Sequence, residues 1–347
     1  MTQAMKASIL FITYKHEAFV AEAVRSAMAQ DYPNLELVVC DDGSPDRTRE
    51  ILERELEDCP SHISIIRCHS EQNQGFHTNF NCGLAACTGD VIVAMSGDDI
   101  SLPHRVSKIC GEFAADSECM LVCSNWLRID DAGKDLGIRI QNREDGIYSY
   151  SITREDIYAL SPICGATAAY RASLRDSFPP MMKGKHAEDN CFWFRGLLLG
   201  NVHYLNESLV LWRTHTANLS NWVRGQDTPQ GRSVHIRFLC LHECMTPQWR
   251  RDLSHALATN LITLSEYNQH LRTILITREW SRLLRLSVTR APWSWWLASA
   301  SRLLKACAQH RFLRKSLRKI RKQHLPLRSF ASRRNEYWRY YFHGKRR

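Results

Sequence analysis

Five short apolar runs, with four helical patterns between them, constrain this chain more than any other feature. They lie at residues 8–13, 35–40, 63–66, 91–95 and 120–124, and each is uninterrupted and rich in Val and Ile. Such runs suit strands buried on both faces, whereas strands with one wet face would alternate. Helical patterns occupy residues 17–30, 46–58, 79–87 and 103–115, with Asp46 placed as an N-cap and Pro103 suited to a first turn. Strands alternating with helices predict an α/β fold with a mostly parallel, Rossmann-like central sheet covered on both sides. Ligands of such sheets bind beyond the carboxyl ends of the strands, so the residues just after each run are the candidates for chemistry.

Charge divides the chain in two. The net charge of +10 over 347 residues is an average of unlike halves. Residues 1–230 hold 31 acidic and 21 basic residues, a net of −10, and residues 231–347 hold 5 and 25, a net of +20. The change falls around Gly225, Pro229 and Gly231, which sets an expected boundary near residue 225. A catalytic domain over 1–225 and a basic helical region over 226–347 are expected.

The 13 cysteines include no C-x-x-C pair, and neither Cys119/Cys123 nor Cys240/Cys244 has a His pair nearby to complete a zinc site. Cys40 and Cys123 end apolar runs, where cysteine serves as a small core hydrophobe. Reduced thiols and a cytoplasmic location are expected. The apolar run 7–12 is too short for a signal peptide, and the charge-free stretch 291–301 is about half a membrane span.

Two carboxylate pairs follow strand ends: Asp41-Asp42 in Cys40-Asp41-Asp42-Gly43-Ser44, and Asp98-Asp99 in Ser96-Gly97-Asp98-Asp99. In one sheet they would share a crevice, repel one another and raise each other's pKa. A divalent cation, Mn2+ or Mg2+, would relieve that repulsion and bring substrate phosphates with it. Either pair alone reads as a turn former; both at matched strand ends favour chemistry. Neither G-x-G-x-x-G nor G-x-x-x-x-G-K-[ST] occurs, which argues against dinucleotide enzymes and P-loop NTPases, and no Gly-rich basic loop points to nucleotide-sugar synthesis.

The series Ile12-Thr13-Tyr14-Lys15-His16-Glu17, Val39-Cys40-Asp41-Asp42-Gly43-Ser44, Asn73-Gln74-Gly75, Asn81-Cys82-Gly83-Leu84 and Thr88-Gly89-Asp90 leads into Met95-Ser96-Gly97-Asp98-Asp99. Asn125, Asp130-Asp131-Ala132-Gly133, Glu188-Asp189 and the run from Leu209 through Trp212-Arg213-Thr214-His215 to Ser220 continue it. In this order the motifs resemble the family 2 inverting glycosyltransferases over residues 6–221. The resemblance implies a glycosyltransferase type A fold and a nucleoside-diphosphate sugar. It implies that Asp41 accepts a hydrogen bond from a pyrimidine base framed by Ile12 and Tyr14. Asp98 would lie near the ribose and diphosphate, and Asp99 and His215 at the metal. The family often has Asp-x-Asp-Asp where this chain has Ser96-Gly97-Asp98-Asp99. By the same resemblance Asp189 is the base that deprotonates the acceptor hydroxyl, Glu188 orients acceptor or base, and Arg213 offsets leaving-group charge. Residues 161–171, with Gly165-Ala166-Thr167, would face the acceptor. From spacing alone, Asp189 opens an amphipathic helix (Phe192, Trp193, Leu197) and could equally cap its free N–H groups.

Residues 278–347 carry 20 Lys and Arg against Glu279 and Glu336. Trp280, Trp293, Trp295 and Trp296 cluster with leucines, and Leu313, Leu317 and Ile320 share a helical face ringed by cations. That composition suits an anionic membrane surface at the inner face of the cell membrane. A helical face packed on the catalytic domain is the alternative, and nucleic acid is the weakest fit. The expected activity is transfer from a UDP- or dTDP-type sugar to a saccharide or lipid-linked acceptor in cell-surface polysaccharide or lipopolysaccharide synthesis. The rival reading is a non-catalytic nucleotide-sugar-binding or scaffold subunit.

Overall fold

The computed structural model describes residues 5–139, 146–149, 164–184, 187–216, 218 and 241–288. The chain divides into two compact units: one runs to His215 and takes in Ser254–Ile262, and the other holds Thr216–Leu253 and Thr263–Arg347. The expected boundary near 225, the clustered tryptophans from Trp293 on and the cationic face at 313–322 lie outside the described residues.

The first unit opens with β1 (Ala7–Thr13), α1 (Val20–Met28), β2 (Leu35–Asp41), α2 (Thr48–Leu56), β3 (Ser64–Arg67), α3 (Phe76–Ala86) and β4 (Val91–Ser96). It continues with β5 (Ile100–Ser101), α4 (Arg105–Ala115), β6 (Cys119–Ile129), β7 (Asp135–Arg139) and β8 (Gly146–Ser149). A short β9 (Ala169–Arg171), α5 (Ala172–Asp176), α6 (Glu188–Leu199) and the long β10 (Asn201–Arg213) complete the sheet. Beyond them are α7 (Leu241–Ala258) and α8 (Leu264–Val288), and no helix among the described residues is long and apolar enough to cross a membrane.

The sheet runs β3-β2-β1-β4-β9-β6-β10-β5, with β7 beside β6 and β8 beside β10. The pairs β3–β2, β2–β1, β1–β4 and β6–β10 are parallel, whereas β9 lies antiparallel between β4 and β6. The mostly parallel α/β class therefore holds, with antiparallel strands added in the half that sequence patterning did not resolve.

Period-two alternation of strand side chains sorts the core into two layers. Ile9, Phe11, Leu37, Val39 and Val93 face Val20, Val24, Ile109 and Phe113 from α1 and α4. The opposite face is so tight that a Cβ at Gly83 of α3 would collide with Cys40 Sγ and Leu10 Cδ1. There Tyr170 stacks on Phe192 of α6 at 4.3 Å. Each such side chain, once buried, contributes about 1.5–3 kcal/mol of transfer free energy. Residues 190–198 of α6 are all buried, so the helix expected to be amphipathic is instead enclosed on every side.

Candidate functional site

The chemistry-bearing residues gather where β1, β2 and β4 end. At the end of β2 the two aspartates take different partners. Asp41 is fully buried and accepts from the Ser44 N–H at 3.1 Å and the Ser44 hydroxyl at 2.5 Å. Asp42 accepts from the Gln74 and Gly75 N–H groups at 2.8 and 2.9 Å, which fixes the loop entering α3. Between them and Ser44, Gly43 has φ +65°, and a Cβ there would meet the Gln72 backbone at 2.6 Å, so only glycine fits this turn. The Ser44 hydroxyl also accepts from the Lys15 N–H at 3.0 Å, which draws the Tyr14–Lys15 turn after β1 to the Asp41 loop. Ile12 and Tyr14 are half-buried, with Lys15 Nζ 5.3 Å from the Tyr14 ring centre.

After β4, Gly97 passes so close to β1 that a Cβ would meet Thr13 Cβ at 2.7 Å and His16 Nδ1 at 3.0 Å. That approach brings Asp98 to the β1 loop. Asp98 Oδ2 pairs with His215 Nε2 at 3.0 Å and His16 Nε2 at 3.8 Å, and its Oδ1 accepts from the Ser96 hydroxyl. One ligand atom each from His16, Asp98 and His215 lie within 4.8 Å of one another, the one such group of three or more metal-ligating residues among the described residues. Burial works against the Asp98 charge, but the His215 hydrogen bond and the neighbouring His16 hold its carboxyl below the usual range. Burial lowers the His16 pKa more than Asp98 raises it. Two imidazoles beside a carboxylate are a donor set for a divalent cation, and two nitrogens shift preference from Mg2+ toward Mn2+.

Asp99 is turned elsewhere. Its Oδ1 accepts from the Arg213 N–H at 2.9 Å, and burial together with the Asp98 charge raises its pKa well above the usual value. Of the two residues expected at the metal, the structure places His215 in the cluster and Asp99 outside it, while Asp98 and the unassigned His16 complete it. His16 lies in the Tyr14-Lys15-His16-Glu17 stretch after β1, but a lone histidine gave no reason to single it out; only the closeness of β1 to β4 does so.

The Arg213 guanidinium, expected at the diphosphate, is 2% exposed and donates to protein acceptors. Nε donates to the Asp98 carbonyl at 2.9 Å, Nη1 to the Asp130 and Asp131 carbonyls at 3.3 and 3.1 Å, and Nη2 to the Glu22 carboxylate. Its Cζ lies 5.0 Å from the Phe19 ring centre. Arg213 is a strut that fixes the 98–99 loop.

Glu188 and Asp189 open α6 with Ala187 as N-cap. Asp189 Oδ1 accepts from the Asn190 N–H at 2.6 Å and the Asn190 amide at 2.7 Å. Burial raises Asp189 to about 6, against those two hydrogen bonds, and burial with the Asp189 charge raises Glu188 to about 8. Gly165 lies against this pair, since a Cβ there would collide with Glu188 Oε1. Cys164 beside it feels the charges of Asp99, Asp189 and Glu188, so the acidic groups of β4 and α6 converge on one short segment. Arg105 anchors that segment by donating to the Ala94 and Ala166 carbonyls at 2.8 and 3.0 Å. Of the expected acceptor strand, residues 161–163 lie outside the described residues, 165–167 form a single 3-10 turn, and only 169–171 are strand.

The Rossmann-like sheet carrying acidic loops at the ends of β2 and β4 has the architecture of the glycosyltransferase type A fold. Residues 8–178 match the family described as glycosyl transferase family 2, and this part of the chain belongs to it. Relatives include a glycosyltransferase of Nostoc sp. (strain PCC 7120), 28% identical over 62% of this chain and 66% of the relative. A Haemophilus influenzae glycosyltransferase is 29% identical over 60% of this chain and 65% of its own length. The chain thus matches just under two thirds of the length of these relatives. Among solved structures, S. aureus TarS residues 1–349 in complex with UDP-GlcNAc shares the fold with a TM-score of 0.53 and 18% identity, covering 91% of this chain and 92% of that one.

Proposed function

We propose that the chain is an inverting, metal-assisted glycosyltransferase. It moves a sugar from a uridine or thymidine diphosphate donor to a saccharide or lipid-linked acceptor in cell-surface polysaccharide or lipopolysaccharide synthesis. The observation that carries this reading is the opposite displacement of carboxyl groups: Asp98 is held ionised, whereas Asp189 is raised to about 6 and Glu188 to about 8. Environments that push pKa values apart assign roles to carboxyl groups in this way.

Inversion is a single in-line displacement, so one base must take the proton of the acceptor hydroxyl. With a pKa near 6, Asp189 is ionised at neutral pH and basic enough to accept it. Glu188, neutral below about 8, keeps a second negative charge from forming beside the base. Asp41 accepts two hydrogen bonds from Ser44, and a carboxylate has about four acceptor sites, which leaves capacity for the N–H of a pyrimidine. His16, Asp98 and His215 would hold the divalent cation. Bound there, it would neutralise the charge developing on the departing diphosphate. The cationic composition of residues 278–347 supports docking on an anionic membrane surface.

Thermal-shift titration with UDP-, dTDP- and GDP-sugars, with and without Mn2+, tests the donor. Stabilisation by a uridine or thymidine donor that grows with Mn2+ is expected, followed by a product of inverted anomeric configuration by NMR. A chain that binds donors yet turns over none of them with any acceptor would instead be a scaffold subunit.

A further inference from the structure

Three thiols gather beneath the Asp41 loop, and the glycosyltransferase reading leaves them unused. In the parallel pairing of β2 with β3, Val39 faces Arg67, and the same register resumes at Asp42 and Ser70. Cys40 therefore stands opposite Cys68. Helix α3 lies on this face: Gly83 is packed on Cys40 Sγ, and the Asn79 amide donates to the Cys40 carbonyl at 3.2 Å. That packing sets Cys82, next to Gly83, beside the same pair. Cys40 is buried, Cys68 half-buried and Cys82 exposed, and all three are free thiols.

We infer that Cys68 and Cys82 form a reversible disulfide that reports thiol redox state to the loop holding Asp41. The neighbouring Cys40 and Cys82 thiols favour the Cys68 thiolate and pull it down to about 7 against its partial burial. Burial raises the Cys82 thiol, so Cys68 is the attacking group. Its thiolate attacks a low-molecular-weight disulfide such as oxidised glutathione, forming a mixed disulfide and releasing one thiolate. Cys82 then loses its proton and attacks the Cys68 sulfur, forming the internal bond and releasing the second thiolate, which takes up that proton. Two protein thiols are oxidised and one external disulfide is reduced to two thiols.

The cross-link would act where β2 meets the next loop. The Cys68 N–H donates to the Val39 carbonyl at 2.8 Å, the Ser70 N–H to the Asp41 carbonyl at 2.9 Å, and the Asp41 N–H to His69 Nδ1 at 3.3 Å. Drawing Cys68 toward α3 would disturb these bonds and hence the seat of Asp41. The effect on donor binding rests on the proposed function; formation of the disulfide does not.

The test equilibrates the reduced full chain with graded ratios of oxidised to reduced glutathione, followed by peptide mapping and UDP titration. A Cys68–Cys82 link that dithiothreitol reverses is expected, with UDP affinity at least several-fold weaker in the oxidised form. Cys82→Ser should stop at one glutathione on Cys68. Glutathione spread evenly over Cys59 and Cys68, or a link through Cys40, would overturn the inference. Oxidised and reduced chains with equal UDP affinity would overturn the coupling, whereas a reduced chain that binds no nucleotide sinks the donor reading and leaves the mapping to decide the disulfide.

Discussion

The Arg213 N–H donates to Asp99 Oδ1 at 2.9 Å, while the same residue's Nε donates to the Asp98 carbonyl at 2.9 Å. One residue at the end of β10 thus holds both halves of the aspartate pair that follows β4. The pair is split by this grip, with Asp98 directed to the histidines and Asp99 to the backbone of its holder.

Removing the grip should cost stability and metal affinity together. Arg213→Ala removes the buried guanidinium shared by the Asp98, Asp130 and Asp131 carbonyls and the Glu22 carboxylate, and a loss of about 3 kcal/mol is expected from these charge-assisted hydrogen bonds. Arg213→Lys should recover only part, because an ammonium cannot span carbonyls on several sides. Chemical denaturation and Mn2+ titration of the same variants check both effects.

His16→Ala or His215→Ala should weaken Mn2+ binding by about 10–100-fold, the usual scale for losing part of a metal site. Asp99→Asn should leave Mn2+ binding within a few-fold of the parent, since its carboxylate serves the Arg213 N–H. Calorimetric titration separates the two classes, and equal losses in all three variants would refute the cluster.

Asp189→Asn should lower transfer by about 10²–10⁴-fold, the range for loss of a general base, with donor affinity retained. The parent rate should rise with pH through about 6 as Asp189 ionises. A pH profile of kcat with no acid limb near that value would remove Asp189 as the base.

Glu188 makes stability fall as pH rises. Its folded pKa of about 8 lies above the unfolded value near 4.5, so between these limits the folded chain holds a proton that the unfolded chain has lost. Each pH unit in that window costs at most about 1.4 kcal/mol. Glu188→Gln should flatten the decline of Tm between about pH 5 and 8, and an unchanged slope would contradict the assignment.

Sequence patterning resolved β1, β2 and β4 because unbroken Val- and Ile-rich runs leave few alternatives for a buried strand. It did not resolve β10, although that is the longest strand among the described residues, because Asn206-Glu207-Ser208 interrupts it where the pairing with β6 shifts register. Nor could it find β9, whose three residues are strand only through pairing with β4 and β6. The same limit applies to the site. Asp41, Asp98 and Asp189 stood out as acids at strand ends or at a helix start. The bond of Asp99 to Arg213 and the meeting of His16 with His215 depend on residues far apart in the chain, and motif order carries no such distances.

Because β10 supplies the strut and leads directly into His215, the His16–Asp98–His215 cluster is complete only once synthesis has passed residue 215. A nascent chain that has emerged only through the 98–99 loop carries His16 and Asp98 but has neither Arg213 to seat that loop nor the second imidazole. The loop gains its anchor when β10 docks beside β6, so the cluster doubles as a proof that this part of the sheet has assembled.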